Sequence, residues 1–529
     1  MNPVVLPVRK EALSALLPHT ESLMLELDVI RRPPAGDPGR VLNVTPGLLP
    51  LGLSALLLAG CSSHGTRLDA QPATMPPQWQ AQPEAVATDD VAPGWFDTLQ
   101  DPVLSALLQE GLQANYSLAG QRALVRQAEQ SLIIAGAPLY PELDLALDAA
   151  RADSGAGSVS TRLGADLNLG WELDLWGKLS DSERQANLTL AARRADLAGA
   201  SQALAGALAT AWFELQAVEQ QRELISRRLA NLEQNLEIIE SGYRLGLSSA
   251  LDVYLARNDV QTEQARAEAQ IQLRTEAVQQ LQLLLGRYPD GRWPDLAPLP
   301  ALDSPVPAGV PGTLLRRRPD LTSAWMELLA SDAALAIAHK QRFPSLTISA
   351  RLDDSAPRLS DLLSGSLAWS VAGGLAQPLF NAGRLKAGEA QAQARADQLE
   401  QQYRQRVFNA FSEVETALGR NRALAQQYQQ YLQAQRNALL AEELAFAQYR
   451  KGLVEYSTVL EAQRRSFDAQ TQVIDLRAAL LTNRIALHLA LGGDFATAAM
   501  TPDAVPPQTE SRAGLAPLPT ETSTGDSDA

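Results

Sequence analysis

A single cysteine, Cys61, and four histidines are all that 529 residues offer in thiol and imidazole chemistry. One thiol excludes an intrachain disulfide and a cysteine-rich metal site. The histidines (His19, His64, His339 and His488) are scattered and carry no motif context, so no base is visibly placed for a nucleophilic cysteine. Lysine is nearly as scarce, with only Lys10, Lys178, Lys340, Lys386 and Lys451. At a net charge of −15 this argues against a nucleic-acid partner, because phosphate binding needs clustered Lys and Arg. There is no phosphate-binding glycine loop, no metal-ligand cluster, and no catalytic triad. The reading is of a non-enzyme without metal or cofactor.

The surroundings of Cys61 are informative. "TPGLLPLGLSALLLAG", residues 45 to 60, is apolar and uncharged. It falls short of the roughly 20 residues of a membrane-spanning helix. It suits the apolar region of a signal peptide ending in small residues. Leu58-Ala59-Gly60-Cys61 then reads as a bacterial lipobox, in which the thiol is joined to diacylglycerol and the chain is cut before the cysteine. The plainer alternative is a core cysteine behind an ordinary signal peptide. The leader is long: either Arg31, Arg32 and Arg40 form its positive region behind an extension, or translation begins later, at Met24. Serine rather than aspartate follows the cysteine, which favours the outer membrane over retention in the inner one.

Proline maps the organisation. None occurs from Glu142 to Tyr288 or from Leu379 to Thr501. Between those runs lies "RYPDGRWPDLAPLPALDSPVPAGVPG", a Pro/Gly-dense linker. The two long halves resemble each other. "YRLGLSSALDVYLAR" starts at Tyr243 and "YRKGLVEYSTVLEAQ" at Tyr449, a shift of 449 − 243 = 206. The same shift brings Gly177-Lys178-Leu179 onto Gly383-Arg384-Leu385. Upstream the shift is 203, bringing Asn115 onto Arg318 and Tyr140-Pro141 onto Phe343-Pro344. A period near 200 residues is a tandem duplication, not a solenoid repeat. The expected segments are a leader and signal peptide at 1–60, an anchored segment at 61–104, and a first repeat at 105–290. A connector at 291–317, a second repeat at 318–494 and a disordered tail at 495–529 follow.

Within each half the period changes. Leu143, Leu145 and Leu147 alternate with Asp144, Ala146 and Asp148, and the run from Leu163 to Leu173 alternates likewise. This is period two, a strand with one oily and one polar face. Leu346–Leu352 and Leu367–Leu375 repeat it more faintly. A soluble hairpin over a core has that pattern, and so does a lipid-facing barrel strand of roughly 9–11 residues. The period then becomes helical. Leu204, Leu208, Ala211, Leu215, Val218, Arg222, Ile225, Leu229, Leu232, Leu236 and Ile239 are spaced 4, 3, 4, 3, a heptad seam broken only by Arg222. Lys178–Glu240 reads as one helix of roughly 95 Å. "SGYRLGLSS" turns the chain and a second helix returns. The other half does the same from Leu385 to Tyr449, with Val407, Phe411, Val414, Leu418, Leu432, Leu439 and Phe446 on its stripe.

In this order "YRLGLSSALDV", "LLRRRPDL", "FPSLTISA", "QPLFNAGRLKAGEAQAQAR" and "YRKGLVEYSTVLEAQ" make a chain that resembles the TolC-like outer-membrane factors, in the lipoprotein branch that serves drug-efflux pumps of the RND class. The resemblance spans about Asp101 to Leu491. It implies a mixed α and β membrane protein made of two tandem repeats. Four strands per subunit of a homotrimer form a shared twelve-stranded barrel, continuous with a long α-helical barrel in the periplasm, and the connector and tail form a belt midway. It also implies a passive exit duct for drugs and other small toxic compounds, set in outer-membrane lipid. The duct meets a periplasmic membrane-fusion adaptor and, through it, an inner-membrane transporter that supplies the energy. A duct for secreted polypeptides keeps the same fold, and a lipid-anchored coiled-coil scaffold without a pore is the reading from a different class. Carried over residue by residue, Cys61 is the lipidation site. Glu461 matches the acidic residue that lines the periplasmic gate, and a solvated helix residue is the plain alternative for it. Asp252, just past the first turn, is placed at the gate as well, and closure is expected to involve Tyr449 and Tyr456 hydrogen-bonding across subunits. The turns at Gly246-Leu247 and Gly452-Leu453 are the adaptor-docking tips. Asp252 has a second possible role, bracing its helix by bonding nearby backbone.

Overall fold

The computed structural model describes residues 79–81, 101–153, 155, 159–294, 296–300, 311–362, 364 and 366–493. Cys61, the leader and the tail lie outside the described residues. The first repeat runs α1 (Pro102–Ala114), α2 (Tyr116–Gly136), β1 (Glu142–Asp153), β2 (Val159–Leu173), α3 (Lys178–Arg244) and α4 (Ala250–Leu284). The second runs α5 (Leu314–Arg317), α6 (Pro319–Lys340), β3 (Ser345–Ala356), β4 (Ala368–Ala376), α7 (Arg384–Tyr449) and α8 (Tyr456–Ala490). The long helices have 67 and 66 residues, about 100 Å each. Both returning helices have 35.

Strand register locates the length difference between the repeats. Leu143 pairs with Leu169, and Leu346 with Leu375. The shifts are 346 − 143 = 203 and 375 − 169 = 206, so the second repeat's three extra residues lie at the tip of its β-hairpin. β1 is longer than the sequence pattern predicts. Its alternation decays into Ala149, Ala150 and Ala152, but pairing with β2 carries it to Asp153.

Layer order follows the chain. The sheet reads β1-β2-β3-β4, all antiparallel. Beneath it α2 packs on α3, α3 on α6, and α6 on α7, so each strand stands over the helix joined to it. Farther down the order is α4-α3-α8-α7. The seam predicted for α3 is the one that packs: Leu208 and Leu215 are fully buried, with Phe213 beside them. Arg222 leaves the seam to bind Glu219 at 2.5 Å. On α7, Val407, Val414 and Leu418 are buried as expected, but Leu439 is exposed. The lower part of α7 is an edge of the helical layer, and its outer stripe faces no other helix among the described residues. α6 is the one helix among the described residues long and apolar enough to cross a membrane by length and composition; it packs between α3 and α7.

The repeats close with the same clasp. Asn115, the N-cap of α2, donates its Nδ2 to the Leu284 carbonyl at the end of α4, at 2.9 Å. Arg318, the N-cap of α6, donates Nη1 to the Ala490 carbonyl at the end of α8, at 3.3 Å, and also binds Asp320 and Glu413. Gly286 and Gly492 end those helices at φ +71° and +67°. A Cβ on Gly492 would lie 2.8 Å from the Arg317 carbonyl carbon. By contrast Gly452, at φ +72°, has open space around it. Gly492→Ala is therefore expected to cost about 2–4 kcal/mol, backbone strain plus overlap. Gly452→Ala carries the strain alone, about 1–2 kcal/mol. Thermal midpoints of the two variants check this; equal shifts would mean the clasp has room to spare.

Candidate channel wall and helical tips

The register sorts the sheet into two faces. One carries Leu143, Leu145, Leu147, Leu163, Leu167, Leu169, Trp171, Leu346, Ile348, Leu352, Trp369, Val371 and Leu375, each paired across the strands with residues of the same face. The other carries Asp144, Asp148, Arg162, Asp166, Asn168, Glu172, Thr347, Ser349, Arg351, Asp353 and Ser370. On it Arg351 bonds Asp166 and lies 3.5 Å from Asp353. β1 and β4 are exposed along their whole length, so both sheet edges are open. An apolar face with open edges is unstable in water and in lipid alike, since unpaired backbone groups are not tolerated in hydrocarbon. Closure against further copies removes both edges and turns the charged face into the wall of a wet lumen.

At the far end, the helical hairpins turn through paired motifs. Leu247 N donates to Gly242 O at 2.8 Å and Leu453 N to Gln448 O at 3.0 Å. Gly246 and Gly452, each in the left-handed conformation, complete the stop. Leu247 and Leu453 are exposed there, with Leu245, Leu251 and Tyr254 around them. Asp252 forms a capping box with Ser249: its carboxylate accepts from Ser249 N at 3.0 Å, and Asp252 N donates to Ser249 Oγ at 3.1 Å. That engages it with its own helix start, the bracing role.

Tyr449 and Tyr456 meet at 5.4 Å in a small core with Ile239, Val253 and Val459 that joins the two hairpins of one subunit. The Tyr449 hydroxyl lies 3.4 Å from Ser248 Oγ. Tyr456 is only 1% exposed, and burial pushes its hydroxyl pKa up. A ring sealed that deeply in its own subunit is placed to hold the hairpins together, not to reach across to another copy. Glu461 lies one turn farther on and is half-exposed. It binds Arg465 at 2.6 Å and Arg464 at 2.9 Å, and Arg464 also holds Asp468 at 3.2 Å. Hydrogen bonds from Arg465 and then Arg464 hold its carboxyl below the usual carboxylate range. A bare ring of like charges would push it the other way.

The sequence pattern does not disclose the buried charges between α3 and α4. Glu219, nearly inaccessible, takes Arg274 at 2.6 Å as well as Arg222. Burial raises its pKa, but those two guanidinium groups outweigh it and the net direction is down. Glu263, equally buried, is 3.2 Å from Arg266 and 3.6 Å from Arg228, whose guanidinium covers the Phe467 ring of α8 at 4.2 Å. Polar residues on a long helix read as a solvated face, and only the interruption at Arg222 hints otherwise. Among the described residues no group of histidine, cysteine or carboxylate side chains is arranged to hold a metal ion.

A sheet oily on one side and charged on the other, open at both edges and continuous with paired helical hairpins, defines a membrane duct without catalytic machinery. Comparison with known proteins places it. The family model "Outer membrane efflux protein" matches residues 107–287 and 310–493, and the chain belongs to that family. It is 33% identical over 465 residues to the pyoverdine export outer membrane protein OpmQ of Pseudomonas aeruginosa, covering 84% of this chain and 96% of that one. It is 30% identical over 470 residues to the antibiotic efflux pump outer membrane protein ArpC of Pseudomonas putida, covering 85% and 96%. The solved outer-membrane channel OprN superposes with a TM-score of 0.73 at 25% identity, over 80% of this chain and 98% of that one. The protein is thus a non-enzymatic efflux channel of the outer membrane, in the mixed α and β fold class expected from the sequence: four strands per subunit in a shared barrel above a helical barrel, built from two tandem repeats.

Proposed function

We propose that this chain is the outer-membrane exit duct of a tripartite pump for small toxic compounds, drugs among them. Three copies close the sheet and the helical layer together. The observation that carries this is the agreement between layers: the sheet ends at β1 and β4, while the helical layer below ends at α4 and α7. One rotation that brings β4 to a neighbour's β1 also brings α7 to its α4. Twelve strands then enclose one lumen. The exposed leucines at Leu247 and Leu453, on turns farthest from the sheet, suit docking of a periplasmic adaptor, which links the duct to an inner-membrane transporter. Small-molecule cargo is favoured over polypeptides by the export roles in the names of OpmQ and ArpC.

Purified protein added to a planar bilayer should give discrete conductance steps, whereas a scaffold without a pore would leave the bilayer silent. Cys61 is the lipidation site on this reading. Intact mass should show a mature chain starting at a diacylglycerol-modified Cys61. Because the barrel itself spans the membrane, Cys61→Ala behind a working signal peptide should retain most of the transport. Loss of all inserted trimer in that variant would make the lipid essential to assembly and refute a mere tether.

A further inference from the structure

The connector that follows α4 docks through a short motif, Leu296-Ala297-Pro298-Leu299-Pro300. Leu299 is 2% exposed within the main core, and Leu296 packs against the same core. Arg477 on α8 donates to the Pro300 carbonyl at 3.1 Å, and Arg274 on α4 donates to the Trp293 carbonyl at 3.0 Å. The chain thus leaves α4, crosses α3 at Gln216–Glu223, and ends on α8. The same five residues occur once more in the chain, at Leu515-Ala516-Pro517-Leu518-Pro519, in the segment that follows α8. They lie beyond Gly493, where the family match ends.

The duplication says where a second copy belongs. Under the shift of 206, α4 becomes α8, α3 becomes α7, and α8 becomes the α4 of the next subunit. Gln216–Glu223 map onto Arg422–Gln429 of α7, and Arg477 maps onto Ile271 of α4. Trp79–Ala81 already covers part of α7: the Ala81 carbonyl accepts from Arg422, and Trp79 lies against Phe411. Among the described residues that cover ends at Arg422; Ala423, Ala425, Gln426 and Gln427 beyond it are exposed. On α4, Ile271 and Leu273 are half-exposed on the open edge. From Gly492, 23 residues lead to Leu515, against 10 from Gly286 to Leu296, so the reach is ample.

We propose that Leu515–Pro519 is a second belt motif, which crosses α7 and docks on the α4 edge of the neighbouring subunit, stapling one protomer to the next. The inference rests on the trimeric reading. The equivalents of Arg274 and Arg477 are Leu480 and Ile271, so this second site has no arginine clamps. Leu515 and Leu518 supply the grip through apolar burial alone.

The full-length chain has no other cysteine than Cys61, which makes introduced pairs unambiguous. Oxidation of Leu518→Cys/Ile271→Cys should give covalent dimers and trimers on a denaturing gel; Leu518→Cys alone should not. A pair that closes only within single chains, or not at all, overturns the staple. Leu515→Asp/Leu518→Asp, which leaves every described contact intact, should shorten trimer persistence in detergent about tenfold or more per leucine lost. Unchanged persistence would equally overturn it. A wild-type chain that runs as a monomer before any substitution would instead refute the trimeric reading.

Discussion

Leu167→Arg should abolish correctly inserted protein, while Asn168→Arg, one residue on, should leave most of it. Leu167 sits mid-strand on the apolar face, between Leu145 of β1 and Leu352 of β3. A guanidinium there faces hydrocarbon at about 2–4 kcal/mol per chain near the midplane, and threefold symmetry multiplies it. Asn168 points to the other face, between Asp144 and Arg351. An arginine there gains Asp144 and is repelled by Arg351, contributions of a few tenths of a kcal/mol to about 1 kcal/mol each that largely cancel. The readout is the heat-resistant oligomer recovered from outer-membrane fractions. Equal loss in both variants would mean the two faces have been exchanged.

That contrast is legible in the amino-acid order alone. Period-two alternation of Leu143–Leu147 and Leu163–Leu173 fixes which residues share a face, because successive strand side chains point oppositely. The duplication is legible as well, since the shift of 206 recurs at both ends of the long helices. What alternation cannot give is where pairing stops. Ala149, Ala150 and Ala152 carry almost no polarity signal, yet they are strand because β2 continues opposite them. The three-residue difference between repeats is detectable in sequence, but only the register places it at the hairpin tip.

The helical tip is less legible, for a physical reason. Asp252 and Glu461 are both carboxylates just past a turn, and sequence alone gives each the same choice between lumen and backbone. Ser249 three residues before Asp252 is the available sign of a capping box. For Glu461 the sign is Arg464 and Arg465, three and four residues on, which lie on its own helix face. The pairs of Glu219 and Glu263 leave the same local sign, Arg222 and Arg266 three residues on, but nothing in it says that the carboxylates are buried. Their other partners, Arg274 and Arg228, come from the facing helix, so only packing reveals the burial.

Arg464 and Arg465 set the charge around Glu461. In each subunit its negative charge and that of Asp468 balance those two arginines, so a gate lined by Glu461, as the resemblance implies, is close to neutral rather than acidic. Glu461→Gln would leave one uncompensated positive charge per subunit, three around the ring. The reversal potential in a potassium chloride gradient should therefore swing toward chloride, by more than loss of a single screened carboxylate would produce. The pH dependence follows from the lowered pKa. A carboxyl held down by its arginines stays ionised throughout the ordinary carboxylate range and protonates only below it. Wild-type selectivity should then stay flat as pH falls to the ordinary carboxylate range and approach that of Glu461→Gln only below it. If repulsion among the three Glu461 groups outweighed their arginines, the change would appear above that range instead. Single-channel recording across that pH range separates the two cases. A variant with unchanged reversal potential at every pH would place Glu461 away from the ion path altogether.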